Sequence, residues 1–211
     1  MINIITINGP AGVGKGTVCK LLAKNLDTRI LNSGEIFRTF AYYLKKNNIN
    51  IEDTTAVVNS AKKFEYKKLS SNKLYSKDID FISSKISMIP NLRKITIKIQ
   101  RDFIKLNNKR VIIAEGRDMG TVIFPKAKVK IFMWAKPQIR AKRRLLQINK
   151  SGRTAEYNSI LKEINTRDMR DMRRKTAPLR PAEDSYLIDN SNLDIEHCFN
   201  RILKIIKKIK Y

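Results

Sequence analysis

The sequence predicts an α/β fold, a parallel sheet with helices on both faces. Three observations predict it. Runs rich in Ile and Val alternate with longer stretches of helical periodicity. The first run meets a glycine-dense turn and then a helical pattern, the strand, loop and helix order of a phosphate-cradling loop. Three polar segments each follow a strand directly: that turn, Asn32-Ser33-Gly34, and Glu115-Gly116-Arg117-Asp118. Right-handed crossovers would gather all three at the carboxyl edge of the strands, where ligands bind in such sheets.

Taken in order, residues 2–7 form the first strand candidate and residues 28–31 a short second one. Residues 110–114 are Val/Ile-rich and end at Glu115-Gly116. Residues 129–134 are continuously apolar but for Lys130, and Trp134 at their end reads as core. Residues 186–188 close the set. Helical patterns cover residues 18–25, 34–46, 53–64, 91–106, 138–149, 157–174 and 194–209. Residues 65–90 are polar, serine- and lysine-rich and fit the alternation poorly, so they read as an inserted or mobile element. Residues 150–156 are a short break between two arginine-bearing helices and suit a small lid.

The 211 residues suit one domain with a buried core, and 42% hydrophobic with 30% charged residues reads as globular. Cys19 and Cys198 stand in no metal or redox spacing, which fits a reducing compartment. No signal peptide or membrane-length apolar run is visible, so the expected location is cytoplasmic, with no membrane partner. The formal net charge of +25 has three accounts: nucleic acid, steering of phosphate substrates, or a compositional drift toward Lys and Asn. No arginines interleave with exposed aromatics, and no nucleic-acid partner is expected.

Residues 9–17, Gly-Pro-Ala-Gly-Val-Gly-Lys-Gly-Thr, fit G-x-x-x-x-G-K. Glycines let successive N–H groups turn toward an anion, the following helix adds partial positive charge, and Lys15 brings a mobile full charge. The hydroxyl that ordinarily holds Mg²⁺ is missing, because Gly16 occupies its place and Thr17 comes one step later. Metal would then be held through waters, the nucleotide or acids elsewhere. The alternative is a structural glycine turn. In the second motif, residues 115–121, an arginine can fork two bonds to a phosphate and a carboxylate can accept from the amino group of cytosine; the alternative is a salt-bridged turn. In the third, Arg167, Arg170, Asp171 and Arg174 share one helix face, with a solvated, internally paired face as the alternative. Arg140, Arg143 and Arg144 make another basic face with the same alternative. His197, the single histidine, reads as structural.

Together these motifs resemble the bacterial cytidylate (CMP) kinase family, a branch of the nucleoside monophosphate kinases. The likeness runs in order through residues 9–17, 32–38, Gln100-Arg101, 115–125, 140–147 and 167–179. It implies a P-loop NTPase-type three-layer fold with a five-stranded parallel sheet. A single kinase domain would span residues 1–211, with an NMP-binding region at about 33–100 and a short lid at about 147–160. It implies reversible transfer of the ATP γ-phosphoryl group to CMP or dCMP, with Mg²⁺ carried by ATP and no direct protein ligand. Gly9, Pro10, Ala11, Gly12, Val13, Gly14, Lys15, Gly16 and Thr17 would bind ATP. Arg38, Arg117 and Arg174 would hold the CMP phosphate, and Ser84, Arg101 and Asp118 would read cytosine. Arg167 and Asp171 would bind the sugar hydroxyls, and Ser33 would line the same pocket. Lys15, Arg117 and Arg174 would act in catalysis, and a monomer is expected. Asn32 stands where the family often has Asp, and the insert forming part of the CMP pocket is shorter than in many members. Two rival readings remain: a kinase tuned to another small acceptor, and a basic nucleic-acid-binding ATPase.

Overall fold

The computed structural model describes residues 3–66 and 71–209. Strands β1 (Asn3–Asn8), β2 (Arg29–Asn32), β3 (Val111–Gly116), β4 (Val129–Trp134) and β5 (Tyr186–Asp189) form one parallel sheet in the order β2-β3-β1-β4-β5. The predicted fold class is therefore the observed one. The chain divides into two compact units: residues up to Ile30 together with Asn108 onward, and Leu31–Asn107.

In the first unit, β1 lies between β3 and β4, and its residues Ile5 to Asn8 are all buried. Ile5 and Ile7 join the apolar cluster, while the polar residues that alternate with them, Thr6 and Asn8, are buried as well. One face carries Ile5, Ile7, Ile113, Ile131, Met133 and Ile188 against Val18, Cys19 and Leu22 of α1 (Lys15–Asn25) and Ile202 and Ile206 of α9 (Ile195–Ile209). Each such side chain contributes roughly 1.5–3 kcal/mol on burial. Both cysteines are buried and unpaired.

Lys130, the polar interruption of β4, is buried beside Asp184. Its Nζ donates to both carboxylate oxygens at 2.8 and 2.9 Å and to the Pro125 carbonyl at 2.6 Å. Trp134 corrects the core assignment: as the last residue of β4 it is 36% exposed. Helices α7 (Pro137–Lys150) and α8 (Tyr157–Arg173) form a hairpin closed by Ala141, Ile160 and Ile164. Among the described residues no helix is long and apolar enough to cross a membrane.

The second unit is helical: α2 (Ser33–Lys46), α3 (Thr54–Lys63), α4 (Ser71–Leu74), α5 (Lys77–Ile86) and α6 (Pro90–Lys105). Phe37, Phe40, Leu44, Val57, Ile79, Ile86 and Leu92 make its core. Residues 65–90 are more regular than expected. Ser76 caps α5 by accepting from the Ile79 amide, and Ile79 and Ile86 enter the core. The lysines and serines between them hid that spacing. Residues 67–70 of this segment lie outside the described residues.

Candidate active site

The phosphate loop sits where β1 gives way to α1. Gly9 has φ of +149°, and a Cβ there would lie 2.2 Å from the Met133 carbonyl oxygen, so the strand can turn only at a glycine. Gly14, at φ of +95°, caps α1, so the helix begins at Lys15, three residues before the apolar pattern suggests. Lys15, Gly16 and Thr17 thus form the first turn of the helix, where N–H groups lack intrahelical partners.

The loop carbonyls are taken up elsewhere. Lys15 Nζ donates to the Gly9 and Pro10 carbonyls at 2.9 and 2.8 Å. Arg140 Nη1 donates to the Ala11 carbonyl at 3.0 Å, and Asn190 Nδ2 to the Val13 carbonyl at 2.7 Å. In a trans peptide the N–H opposes the C=O, so each tie also sets the direction of the next amide. Arg143 closes the same region by donating to Asn190 and to the Leu193 carbonyl. Arg140 and Arg143 are therefore no solvated basic face, and Thr17 is exposed.

Around the loop lies a cluster of charges. Lys15 is 5% exposed. Burial, reinforced by the Arg117 guanidinium and opposed by Glu115, holds its ammonium well below its ordinary pKa. Position 16 faces Glu115: a Cβ there would begin 3.7 Å from a carboxylate oxygen. Glu115 lies in β3 opposite Ile7, so the strand register places an acid beside the missing hydroxyl.

Arg117 follows β3, and its Nε donates to Asp171 of α8 at 3.0 Å. Arg174, just past α8, is aimed by its own turn. Its Nε donates to the Ala177 carbonyl at 2.7 Å, while the Leu179 amide returns to the Asp171 carbonyl at 2.8 Å. Its two terminal nitrogens stand 3.9 Å from Asp118 and 3.8 Å from Asp171. Burial alone would push the Asp171 carboxyl up. The guanidinium groups of Arg117, Arg167 and Arg174 outweigh that and hold it below the usual carboxylate range. Asp118 precedes a five-residue π turn, Met119–Ile123, and Asn8 fixes that turn by accepting from the Met119 amide at 2.9 Å. The first unit thus gathers Lys15, Arg117, Asp118, Arg167, Asp171 and Arg174, together with Glu115.

The second unit carries Ser33, Arg38, Ser84 and Arg101. Ser33 is buried at the start of α2, where Asn32 caps the helix by accepting from the Glu35 amide at 3.1 Å. A neutral Asn performs this cap as an Asp would. One turn on, Arg38 donates twice to Asp80 of α5, from Nε at 3.0 Å and Nη2 at 2.7 Å, and stacks on Tyr75 at 4.9 Å. Ser84 is buried one turn beyond Asp80. Arg101 is exposed on α6, whereas Arg93, two turns earlier, is 3% exposed and lies over the Phe37 ring at 5.7 Å. Helical spacing could not distinguish these two arginines. The sequence reading also passed over Asn8, Asp168 and Asn190, whose partners are distant in the chain.

Comparison with known proteins gives the family. The family model described as cytidylate kinase matches residues 5–208. A cytidylate kinase of Bartonella bacilliformis is 41% identical over 196 residues, covering 93% of this chain and 90% of that protein. One of Bradyrhizobium diazoefficiens is 39% identical and covers 98% of this chain and 97% of that protein. Among solved structures, shikimate kinase from Bacteroides thetaiotaomicron aligns with a TM-score of 0.52 at 11% identity, covering 98% of this chain and 99% of that one, a likeness of fold alone. The chain belongs to the cytidylate kinase family.

Proposed function

We propose that the protein transfers the γ-phosphoryl group of ATP to CMP or dCMP, giving ADP and CDP or dCDP. The observation that carries this reading is the grouping of Lys15 and its phosphate loop with Arg117, Asp118, Arg167, Asp171 and Arg174 in one unit. Family membership supports the choice of acceptor. The loop amides and Lys15 hold the donor phosphates, and Arg117 and Arg174 hold the acceptor phosphate. The acceptor oxygen is already ionised near neutral pH, so catalysis rests on alignment and on neutralising charge that spreads in the transition state. Arg38 has the same acceptor role by family likeness. Arg167 and Asp171 serve the sugar, Ser33 and Ser84 the pocket, and Asp118 the base. Arg101 of the second unit would serve the base beside Asp118 by family likeness.

Mg²⁺ fits as a companion of the nucleotide. Glu115 beside Gly16 is the acid that would hold the ion, through water. When bound, the ion would neutralise the phosphate oxygens. The turn between α7 and α8 would serve as the lid that excludes water. We further propose a cytoplasmic monomer whose partners are these nucleotides.

Coupled ADP release with CMP, dCMP, UMP and AMP tests the reading, with CMP and dCMP expected to give the highest kcat/KM. A preference for AMP, or no turnover with any of the four, would overturn it.

Two variants probe the acceptor side. Arg117→Lys and Arg174→Lys keep charge but lose the two-pronged donor geometry. The KM for CMP is expected to rise by about tenfold or more, with the KM for ATP within about threefold. An equal change in both would make these residues general electrostatics. Asp118→Asn leaves the shape but lets the amide donate to the uracil carbonyl. The CMP-to-UMP ratio of kcat/KM is expected to narrow by about tenfold, near the low end of the roughly 1–3 kcal/mol of one good base contact. An unchanged ratio would leave Asp118 as a structural partner of Arg174.

A further inference from the structure

Among the described residues Arg140 is the largest fully buried side chain, at 1% exposure, and it lies within the first unit. Its guanidinium joins three separate segments. Nε donates to the Ala135 carbonyl at the exit of β4, at 2.9 Å. Nη1 donates to the Ala11 carbonyl in the phosphate loop at 3.0 Å and to Asp168 Oδ1 at 3.2 Å, and Nη2 donates to Asp168 Oδ2. Four of its five N–H groups are thus used. Asp168 is itself buried on α8, next to Arg167 and three residues before Asp171. A position-12 side chain would begin 3.6 Å from Arg140 Cβ, so α7 rests directly on the loop.

These contacts exceed what packing requires. A buried ion pair is seldom more stable than an apolar pair of similar volume, so its presence asks for another reason. The geometry supplies one. The Ala11 carbonyl and the Gly12 amide belong to one rigid peptide, and an anion drawing on that amide turns the carbonyl with it. A planar guanidinium forked onto a carboxylate passes such a turn on, because both bonds must be kept together. Asp168 is part of α8 and is held by burial, and α8 also carries Arg167 and Asp171 and leads into Arg174.

We propose that Arg140, acting through Asp168, is a positioning residue that couples occupancy of the phosphate loop to the setting of α8. Donor binding thereby tightens the residues that serve the acceptor. The inference rests on the kinase reading for its effect on turnover, but the coupling itself can be read without turnover.

Amide hydrogen exchange of the full chain, with and without a non-hydrolysable ATP analogue and Mg²⁺, tests it. In the parent the analogue is expected to slow exchange in the loop, residues 9–17, and in α8. In Arg140→Lys and Asp168→Asn, at saturating analogue, loop protection is expected to persist while the gain on α8 falls to less than about half. In turnover assays both variants are expected to lose about tenfold in kcat with CMP, with KM for ATP within about threefold. Asp168→Asn keeps the shape and one acceptor, so it remains informative if Arg140→Lys does not fold. An α8 gain equal to that of the parent in a folded variant overturns the proposal, as does a parent whose α8 does not respond. A parent that binds the analogue but phosphorylates no CMP sinks the kinase reading alone, and the exchange data still decide the coupling.

Discussion

Lys15→Met is expected to lower turnover with ATP and CMP by roughly 10²–10³, the scale for removing one transition-state donor, with the fold intact. The structure gives the second half of that statement its reason. Lys15 Nζ is buried, and burial together with Arg117 already opposes its charge. A methionine of similar length removes a disfavoured cation and keeps the apolar stem. The buried Gly9 and Pro10 carbonyls lose a donor, at about 1–3 kcal/mol for each acceptor left unpaired, and the loss of the disfavoured buried cation offsets this. Thermal midpoints of parent and variant are therefore expected to lie within several degrees, so that lost activity cannot be ascribed to unfolding. Turnover within threefold of the parent would remove the loop from the chemistry.

The loop and the sheet were legible because their signals are local. Glycine spacing sets a backbone path over nine residues, and an unbroken Ile/Val run marks a strand buried on both faces. The start of α1 at Lys15 was harder to see, because Gly14 and Gly16 weaken helix propensity where the fold uses the helix for its free amides. The apolar spacing of α5 was masked by lysines and serines on its other faces. What stayed hidden was pairing at a distance. Lys130 looked like a flaw in a strand until Asp184, 54 residues on, appeared beside it. Arg140 looked like surface charge until Ala11 and Asp168 enclosed it. Arg93 and Arg101 share one helix, and only tertiary burial separates them. Periodicity reports what one residue prefers, whereas a buried ion pair is a joint property of two elements.

Asp171 is such a case, and its removal is the most costly change expected for stability. It stands among Arg117, Arg167 and Arg174, and is itself buried. Taking its charge away leaves three guanidinium groups facing one another with fewer counter-charges. Asp171→Asn is expected to destabilise the protein by about 3–5 kcal/mol at neutral pH, as for breaking a buried pair, and to lower its thermal midpoint by roughly 6–20 °C. The pH dependence follows from the sign of the shift. The folded pKa is lowered, so the unfolded chain, with an ordinary value of about 3.9, takes up the proton first as pH falls. The stability that Asp171 contributes is fully present above that value and is lost as pH drops through the lowered folded value. Urea unfolding of parent and variant at a series of pH values should therefore show the largest gap near neutrality and a narrowing gap below about pH 4. A gap under about 1 kcal/mol at pH 7 would mean that Asp118 and Glu115 suffice to balance the arginines. Asp171 would then be held at this position by its contact with the substrate alone.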